Sequence, residues 1–529
     1  MHPWATVQPA WLASPEHPVP ACNMALGTVL SPLLQTDRWP AMMSSLLAGS
    51  FMTLAFAPFD WSLLVYPLMA LLFYHWLRAG AFQAFLHVWL FSLGMRLSGI
   101  CWIFFSLYFH GDSPAILAVA IVVLLSAGLA LFPATAAYLA TRYCRANDWL
   151  RLMLVFPCTW LLAEWTVGIT LTGFAWMQPG YTQIDWPLAG YAPLFGNHAV
   201  GGLVAVCAGA LTAVVQKTLS WQKVLIVVGL IWVVGWALQQ INWTEPAGEE
   251  IKVALIQGNI PQALKWKRHM HSKTLAIYRD LTLEHTDADL IIWPETAIPD
   301  YRHRVPGYII GMRQAMQQSD TDLLMGLFIK SLDSGRYYNS VLSVNGGEYR
   351  KRHLVPLGEY IPLRSLIGFF SRWINIPMSD IDSGPDDQSL LVVAGQPVGV
   401  SICFEDIFSR DVRRDLPQAT ILVNVSNDAW FDGSHEPRQH HAIARMRALE
   451  SGRYMLRATN TGISSIIGPK GEEVLVAPAL ERHVLRGNVT PLKGQTPYVF
   501  WGDGFALLFA LLVPGAICLW PQLQKRASP

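Results

Sequence analysis

Charge is what this chain has least of. Only 14% of its 529 residues are Asp, Glu, Lys or Arg, against about 25% in a soluble globular protein. Basic and acidic residues nearly cancel, 38 against 37, so no net field recommends nucleic acid as a partner. Cysteines are few, seven in all, and too scattered for a small disulfide scaffold. The apolar content is too high for a disordered chain. No internal repeat, phosphate-cradling glycine loop or dinucleotide fingerprint is evident, so no cofactor is expected. His435, His440 and His441 lack His-Glu-x-x-His or comparable spacing, so no metal is expected either.

What the chain has in abundance is apolar and aromatic side chains: 52% hydrophobic, with 22 Trp and 23 Phe, and a mean hydropathy of +0.32. They cluster. Stretches near 40–58, 61–77, 83–108, 114–139, 149–166, 198–216, 222–241 and 498–520 suit a hydrocarbon layer roughly 30 Å thick. The fold class is therefore a multi-span helical membrane bundle of about eight transmembrane helices joined to an α/β domain. Residues 1–39 read as a leader, 40–241 as a bundle of about seven helices, 242–497 as a water-soluble domain, 498–520 as a last transmembrane helix and 521–529 as a tail.

Orientation follows from the basic residues. Arg38, Arg78, Arg142, Arg145, Arg151, Lys217, Lys223, Lys525 and Arg526 fall in alternate connections, whereas Asp60, Asp112 and Asp185 fall in the others. The positive-inside rule then puts both termini in the cytoplasm and 242–497 outside it, in the periplasm of a bacterium.

Of the cysteines, Cys403 alone lies in the 242–497 domain, and the rest lie in or near the apolar part, where a Cys is ordinarily a small packing residue. Cys403 is thus either a buried inert thiol or a reactive one. Pro397-Val-Gly-Val-Ser-Ile-Cys403 reads as a buried strand ending on the thiol, and in open α/β folds reactive groups gather at the carboxyl ends of strands. Asp289-Leu-Ile-Ile-Trp-Pro-Glu295 is another apolar strand, ending in a carboxylate. A Glu placed there is desolvated and becomes a stronger base. Tyr349-Arg-Lys351 carries a Lys on a basic strand, with Glu359 eight residues beyond that Lys. Singly, each reads as a surface group, a solvated basic run or a turn carboxylate. Strand-end Glu, then Lys, then strand-end Cys is far more specific.

That order resembles the Glu–Lys–Cys triad of the nitrilase superfamily. A nitrilase-like domain set between membrane spans resembles, more narrowly, the apolipoprotein N-acyltransferase family. The matching stretches are Val253–Trp266, Ile291–Pro299, His353–Pro362, Ser401–Glu405, Ser426–Phe431 and, in a membrane-side loop, Leu171–Tyr181. The resemblance implies an extracytoplasmic α-β-β-α sandwich in a bacterial inner-membrane enzyme. It makes Glu295 the general base, Lys351 the stabiliser of a tetrahedral intermediate and Cys403 the nucleophile. Cys403 would take an acyl group from a phospholipid as a thioester. The α-amine of an apolipoprotein's S-diacylglyceryl-cysteine would then collect it, in ping-pong order. Trp266, Glu359, Phe404 and Glu405 fall at further functional positions. Glu359 would orient Lys351 or substrate, and Trp266 is either an interfacial aromatic or a lining of the acyl or head-group path. One departure shows: the residue after the thiol, commonly Tyr in that family, is Phe404.

Three further expectations concern the membrane. The apolar segment 361–377 suggests a lid dipping into lipid through Leu366, Ile367, Phe369, Phe370 and Trp373, the alternative being ordinary packing. Arg96 falls within a span, where it either recognises phosphate or, as the favoured reading, pairs with Glu164 or lines a polar cavity. Arg438, Arg445, Arg447 and Arg453 are placed on an amphipathic helix with structural roles. A monomer is expected, since nothing in the sequence demands a partner subunit. The competing functions are a membrane-anchored nitrilase or amidase acting on a soluble C–N substrate, and a transporter with an inactive external domain.

Overall fold

A computed structural model of the chain describes residues 39–356, 358–360 and 381–527. The apolar part forms helices α1 (Trp39–Phe51), α2 (Val65–Arg78), α3 (Ala81–Gly99), α4 (Ala115–Tyr143), α5 (Phe156–Ile169), α6 (Ala192–Val215) and α7 (Trp221–Gln239). Among the described residues, four helical stretches are long and apolar enough to cross a membrane: Ala115–Tyr143, Asp148–Ile169, Pro187–Val215 and Trp221–Gln239. A fifth exists if Ala81–Gly99 and Ile103–His110, bent by 53°, count as one. Two of the other expected spans are helical but short. α1 has 13 residues, about 20 Å at 1.5 Å per residue, less than the roughly 30 Å layer. α2 has 14 residues; the last helix runs Gly504–Ala527 and is apolar over Gly504–Leu519.

Helices α1 and α3 touch backbone to backbone. A Cβ on Gly49 would lie 1.9 Å from the Phe91 carbonyl oxygen, and one on Gly94 2.3 Å from that of Leu46. Small residues permit that approach where the hydrophobic effect gives helices no reason to associate. Arg96 is fully buried and pairs with Glu164 at 3.3 Å, joining α3 to α5. Not all cysteines of this part are simple packers: Cys144 is disulfide-bonded to Cys518, linking the segment after α4 to the last helix.

Beyond α7 the pattern changes to buried strands. β1 (Ile251–Gln257), β2 (Leu290–Ile292), β3 (Asp322–Lys330), β4 (Tyr337–Ser343) and β5 (Glu348–Arg350) form one sheet; β6 (Leu391–Val393), β7 (Gln396–Ile402), β8 (Ile421–Ser426), β9 (Met455–Thr459), β10 (Ser465–Ile467) and β11 (Glu473–Val476) form another. β12 (His483–Val489) returns to the first, giving orders β12-β1-β2-β3-β4-β5 and β11-β10-β9-β8-β7-β6. In each sheet three strands are parallel, β1-β2-β3 and β7-β8-β9, and the rest antiparallel. The domain therefore repeats one arrangement twice, a symmetry the sequence does not display.

The sheets pack face to face through Val253, Leu255, Ile292, Leu324, Val400, Ile402, Val423 and Val425. Helices α8 (Gln262–Lys265), α9 (Arg268–Leu283) and α10 (Pro306–Ser319) follow in the first half. Tyr278 of α9 and Ile309, Met312 and Met316 of α10 cover the outer face of the first sheet. α11 (Glu436–Ser451) covers the second through Ala444 and Ala448. The result is the expected α-β-β-α sandwich.

α11 is not amphipathic. It is buried on most sides, because the membrane-side residues lie on its other flank. Trp102 and Trp176 both donate their indole N–H to Gln439 Oε1, at 3.1 and 2.7 Å, and Glu450 accepts from the Asn197 backbone at 2.7 Å. Arg447 pairs with Glu450 at 3.1 Å and Arg445 with Asp185, whereas Arg453 lies past the helix's glycine cap and bonds backbone carbonyls. α12 (Gly504–Ala527) closes the chain.

Candidate active site

The carboxyl ends of β2, β5, β7 and β8 converge. Glu295, Lys351, Cys403 and Asn427 sit just past them. Both reactive strand ends finish on a left-handed, non-glycine residue: Thr296 at φ 48° and Cys403 at φ 52°. Such backbone is costly for a side chain with a Cβ and persists where surrounding contacts enforce it. Gly326 of β3 makes room, since a Cβ there would lie 2.2 Å from the Pro294 carbonyl oxygen.

The side chains that the sequence singles out are brought together. Lys351 is buried and holds Glu359 at 2.9 Å and Glu295 Oε1 at 3.7 Å. Burial opposes its charge, but Glu359, Glu295 and Cys403 outweigh that and hold the ammonium above the ordinary lysine range. Asn339 on β4, absent from the sequence reading, donates to Glu295 Oε1 at 2.6 Å and to Glu359 Oε1 at 3.0 Å. Asn427, missed likewise, donates its backbone N–H to Glu295 Oε2 at 3.0 Å. Glu359 also accepts from the Val355 N–H at 2.8 Å.

Cys403 is partly exposed, and its thiol is held well above its ordinary value, chiefly by burial and next by Glu295, with Lys351 opposing. The resting group is thus a thiol, which needs a base to become a nucleophile. Glu405 braces it. One carboxylate oxygen accepts from Ile402 N–H at 2.7 Å, the other from Arg352 and His353 N–H at 2.6 and 3.0 Å, and Tyr349 donates its hydroxyl at 3.0 Å. The strand that carries the thiol is thereby tied to the one that carries Lys351.

Phe404 packs its ring against Phe408, centroids 5.2 Å apart, and against Phe174 of the membrane-side loop at 6.3 Å. The contacts are aromatic, and a phenylalanine ring fills them. Trp266 is 44% exposed, its ring 5.9 Å from Phe328, at the rim rather than in the centre. Leu366, Ile367, Phe369, Phe370 and Trp373 lie outside the described residues.

Behind the thiol is a buried charge cluster that spacing did not reveal. Asp428, Glu436 and His440 bring ligand atoms within 4.8 Å of one another. Arg457 already supplies positive charge there: Nη2 lies 3.0 Å from Asp428 and 3.0 Å from His440 Nδ1, and Nη1 donates to Asn424 Oδ1 at 2.6 Å. Asn424 in turn donates to the Cys403 carbonyl at 3.2 Å. The cluster therefore backs the nucleophile's turn.

Two family models match parts of this chain. Residues 48–210 match the family model described as the apolipoprotein N-acyltransferase N-terminal domain, and residues 252–496 the one described as carbon-nitrogen hydrolase. An apolipoprotein N-acyltransferase of Methylococcus capsulatus is 42% identical over 92% of this chain and 97% of its own. One from Nitrosomonas europaea is 39% identical over 89% of this chain and 96% of its own. Among solved structures, a carbon-nitrogen hydrolase from Helicobacter pylori G27 aligns with a TM-score of 0.36 at 16% identity, over 53% of this chain and 96% of that one.

Proposed function

The chain belongs to the apolipoprotein N-acyltransferase family, and on that premise we propose that it acylates the amino terminus of diacylglyceryl apolipoproteins through a thioester on Cys403, with phospholipid as donor. The observation that carries the reading is the convergence of the Cys403 thiol, a buried Glu and a buried Lys at neighbouring strand ends.

Glu295 takes the Cys403 proton as sulfur attacks the sn-1 ester carbonyl. The tetrahedral oxyanion is stabilised by Lys351, held in place by Glu359 and Glu295, and by the Phe404 N–H that follows the nucleophile. Collapse expels the lysophospholipid alkoxide, which Glu295 reprotonates, leaving acyl-Cys403. The neutral α-amine of the acceptor, whose pKa lies near 8, attacks the thioester; Glu295 accepts its proton and sulfur leaves. One donor departs before the acceptor reacts, so the order is ping-pong.

The bundle answers a physical need. Lifting an acyl chain from a bilayer costs roughly 0.8 kcal/mol per CH₂, on the order of 12 kcal/mol for a palmitoyl chain. An active site resting on membrane helices at the outer leaflet avoids that cost. We place the sandwich in the periplasm of an inner-membrane protein with about eight spans, both termini cytoplasmic, from the alternation of basic loops; the lid assigned to 361–377 belongs to the same reading. The test is purified protein in phospholipid micelles with a diacylglyceryl-cysteine peptide. Amide formation on the peptide, lost in Cys403→Ala, supports the transferase. Release of free fatty acid alone identifies a hydrolase.

A further inference from the structure

Lys265 is the one fully buried lysine besides Lys351 among the described residues, and the reaction above does not use it. It ends α8, and its ammonium donates to Thr296 Oγ1 at 2.6 Å and to the Glu295 carbonyl oxygen at 3.3 Å. These are the two residues of the strained turn that aims the base, Thr296 being left-handed at φ 48°. A β-branched residue resists that conformation, so a contact that fixes its hydroxyl and the preceding carbonyl together has a clear mechanical effect. The same short helix reaches the base a second way. Gln262 Oε1 accepts from the Asn427 side chain at 3.0 Å, and the Asn427 backbone N–H holds Glu295 Oε2 at 3.0 Å.

We infer that Lys265 is a positioning residue for the general base: its buried ammonium clamps the Glu295–Thr296 turn and sets a positive field behind Glu295 that favours the carboxylate. Among the described residues Lys265 forms no ion pair, and its polar partners are neutral oxygens. Glu295 is the charged group acting on it, and it opposes the burial that pulls the lysine down to about 7. The cation is therefore fullest below neutrality. This role rests on Glu295 being the base.

The experiment follows acylation of Cys403 by labelled phospholipid in the full-length protein, in single turnovers from pH 5 to 9. Lys265→Met is expected to move the acid limb of the profile up by about one pH unit and to slow acylation about tenfold below it. Lys265→Arg keeps the charge and is expected to keep the limb in place. Thr296→Val removes the oxygen acceptor but not the charge; acylation is expected to slow with the limb unmoved. An unmoved limb in Lys265→Met, with the rate lowered or not, overturns the field role, and an unslowed Thr296→Val overturns the clamp. Glu295→Gln separates the two readings: if it still acylates Cys403 at the wild-type rate, the assignment of the base has failed, not that of Lys265 alone.

Discussion

Replacing Glu405 by Gln tests the brace beneath the nucleophile. The carboxylate faces three backbone N–H groups and the Tyr349 hydroxyl. In Gln the oxygen that stays can keep the Arg352 and His353 donors, but the new NH₂ then points at Ile402 N–H, 2.7 Å from the atom it replaces. A buried donor left facing a donor costs about 1–3 kcal/mol. Ile402 immediately precedes Cys403, so most of that cost falls on the geometry of the thiol. About 2 kcal/mol corresponds to roughly a thirtyfold slower step. Ala is harsher, since all three N–H groups lose their acceptor, at about 1–3 kcal/mol each, against a total domain stability of about 5–15 kcal/mol. Glu405→Gln should thus acylate Cys403 about thirtyfold more slowly while melting cooperatively within a few degrees of wild type, and Glu405→Ala should fail to accumulate folded. Single-turnover acylation and thermal unfolding in detergent measure both. Wild-type acylation by Glu405→Gln, or a normally melting Glu405→Ala, would refute the brace.

Three further outcomes are expected. Burial pushes Glu405 up to about 7, against Lys351 and the backbone donors that lower it. The folded chain then binds this proton more tightly than the unfolded one. This group's contribution to stability therefore falls as pH rises from its ordinary 4.5 toward 7; thermal unfolding measured across that window should show a loss that Glu405→Gln lacks. Asn339→Leu removes the donor shared by Glu295 and Glu359, and acylation should fall ten- to a hundredfold, since hydrogen bonds to charged groups contribute about 1.5–3 kcal/mol each. Gly326→Ala sets a Cβ 2.2 Å from the Pro294 carbonyl oxygen, a backbone atom that cannot swing aside. Both melting temperature and acylation should drop, more than in Gly307→Ala, where the new Cβ meets open space.

The candidate triad could be read from the sequence because Glu295 and Cys403 each end an apolar run, visible in one dimension, while Lys351, on a basic strand, stood out by its place between them. Asn339 could not: it sits inside β4, where its pattern is that of any buried strand, and its function exists only because Lys351 and Glu359 return beside it. Lys265 and Asn427 were missed for the same reason, since they act on Glu295 from separate chain segments. The Asp428–His440–Arg457 cluster is assembled from β9 and the segments around β8 and α11, so no ligand spacing could announce it.

Among the described residues, each expected apolar stretch contains a helix, but hydropathy did not give the helix lengths. The stretch 40–58 is apolar throughout, yet its helix changes character at Phe51, and apolarity alone does not separate a lipid-facing span from a short helix buried in the bundle. Cys144 and Cys518, 374 residues apart, gave no sign of pairing. The repeat of the two half-sheets lies in strand directions, not in side chains.

The central claim is that the acyl group rests on Cys403 between donor and acceptor. The most direct measurement is to react the protein with labelled phospholipid, remove unreacted donor, locate the label by peptide mass, and then add a diacylglyceryl-cysteine peptide. A hydroxylamine-labile acyl group on the Cys403 peptide that passes quantitatively to the amino terminus of the acceptor is the predicted result. A label found on any other residue, or one on Cys403 that the acceptor cannot discharge, would contradict it.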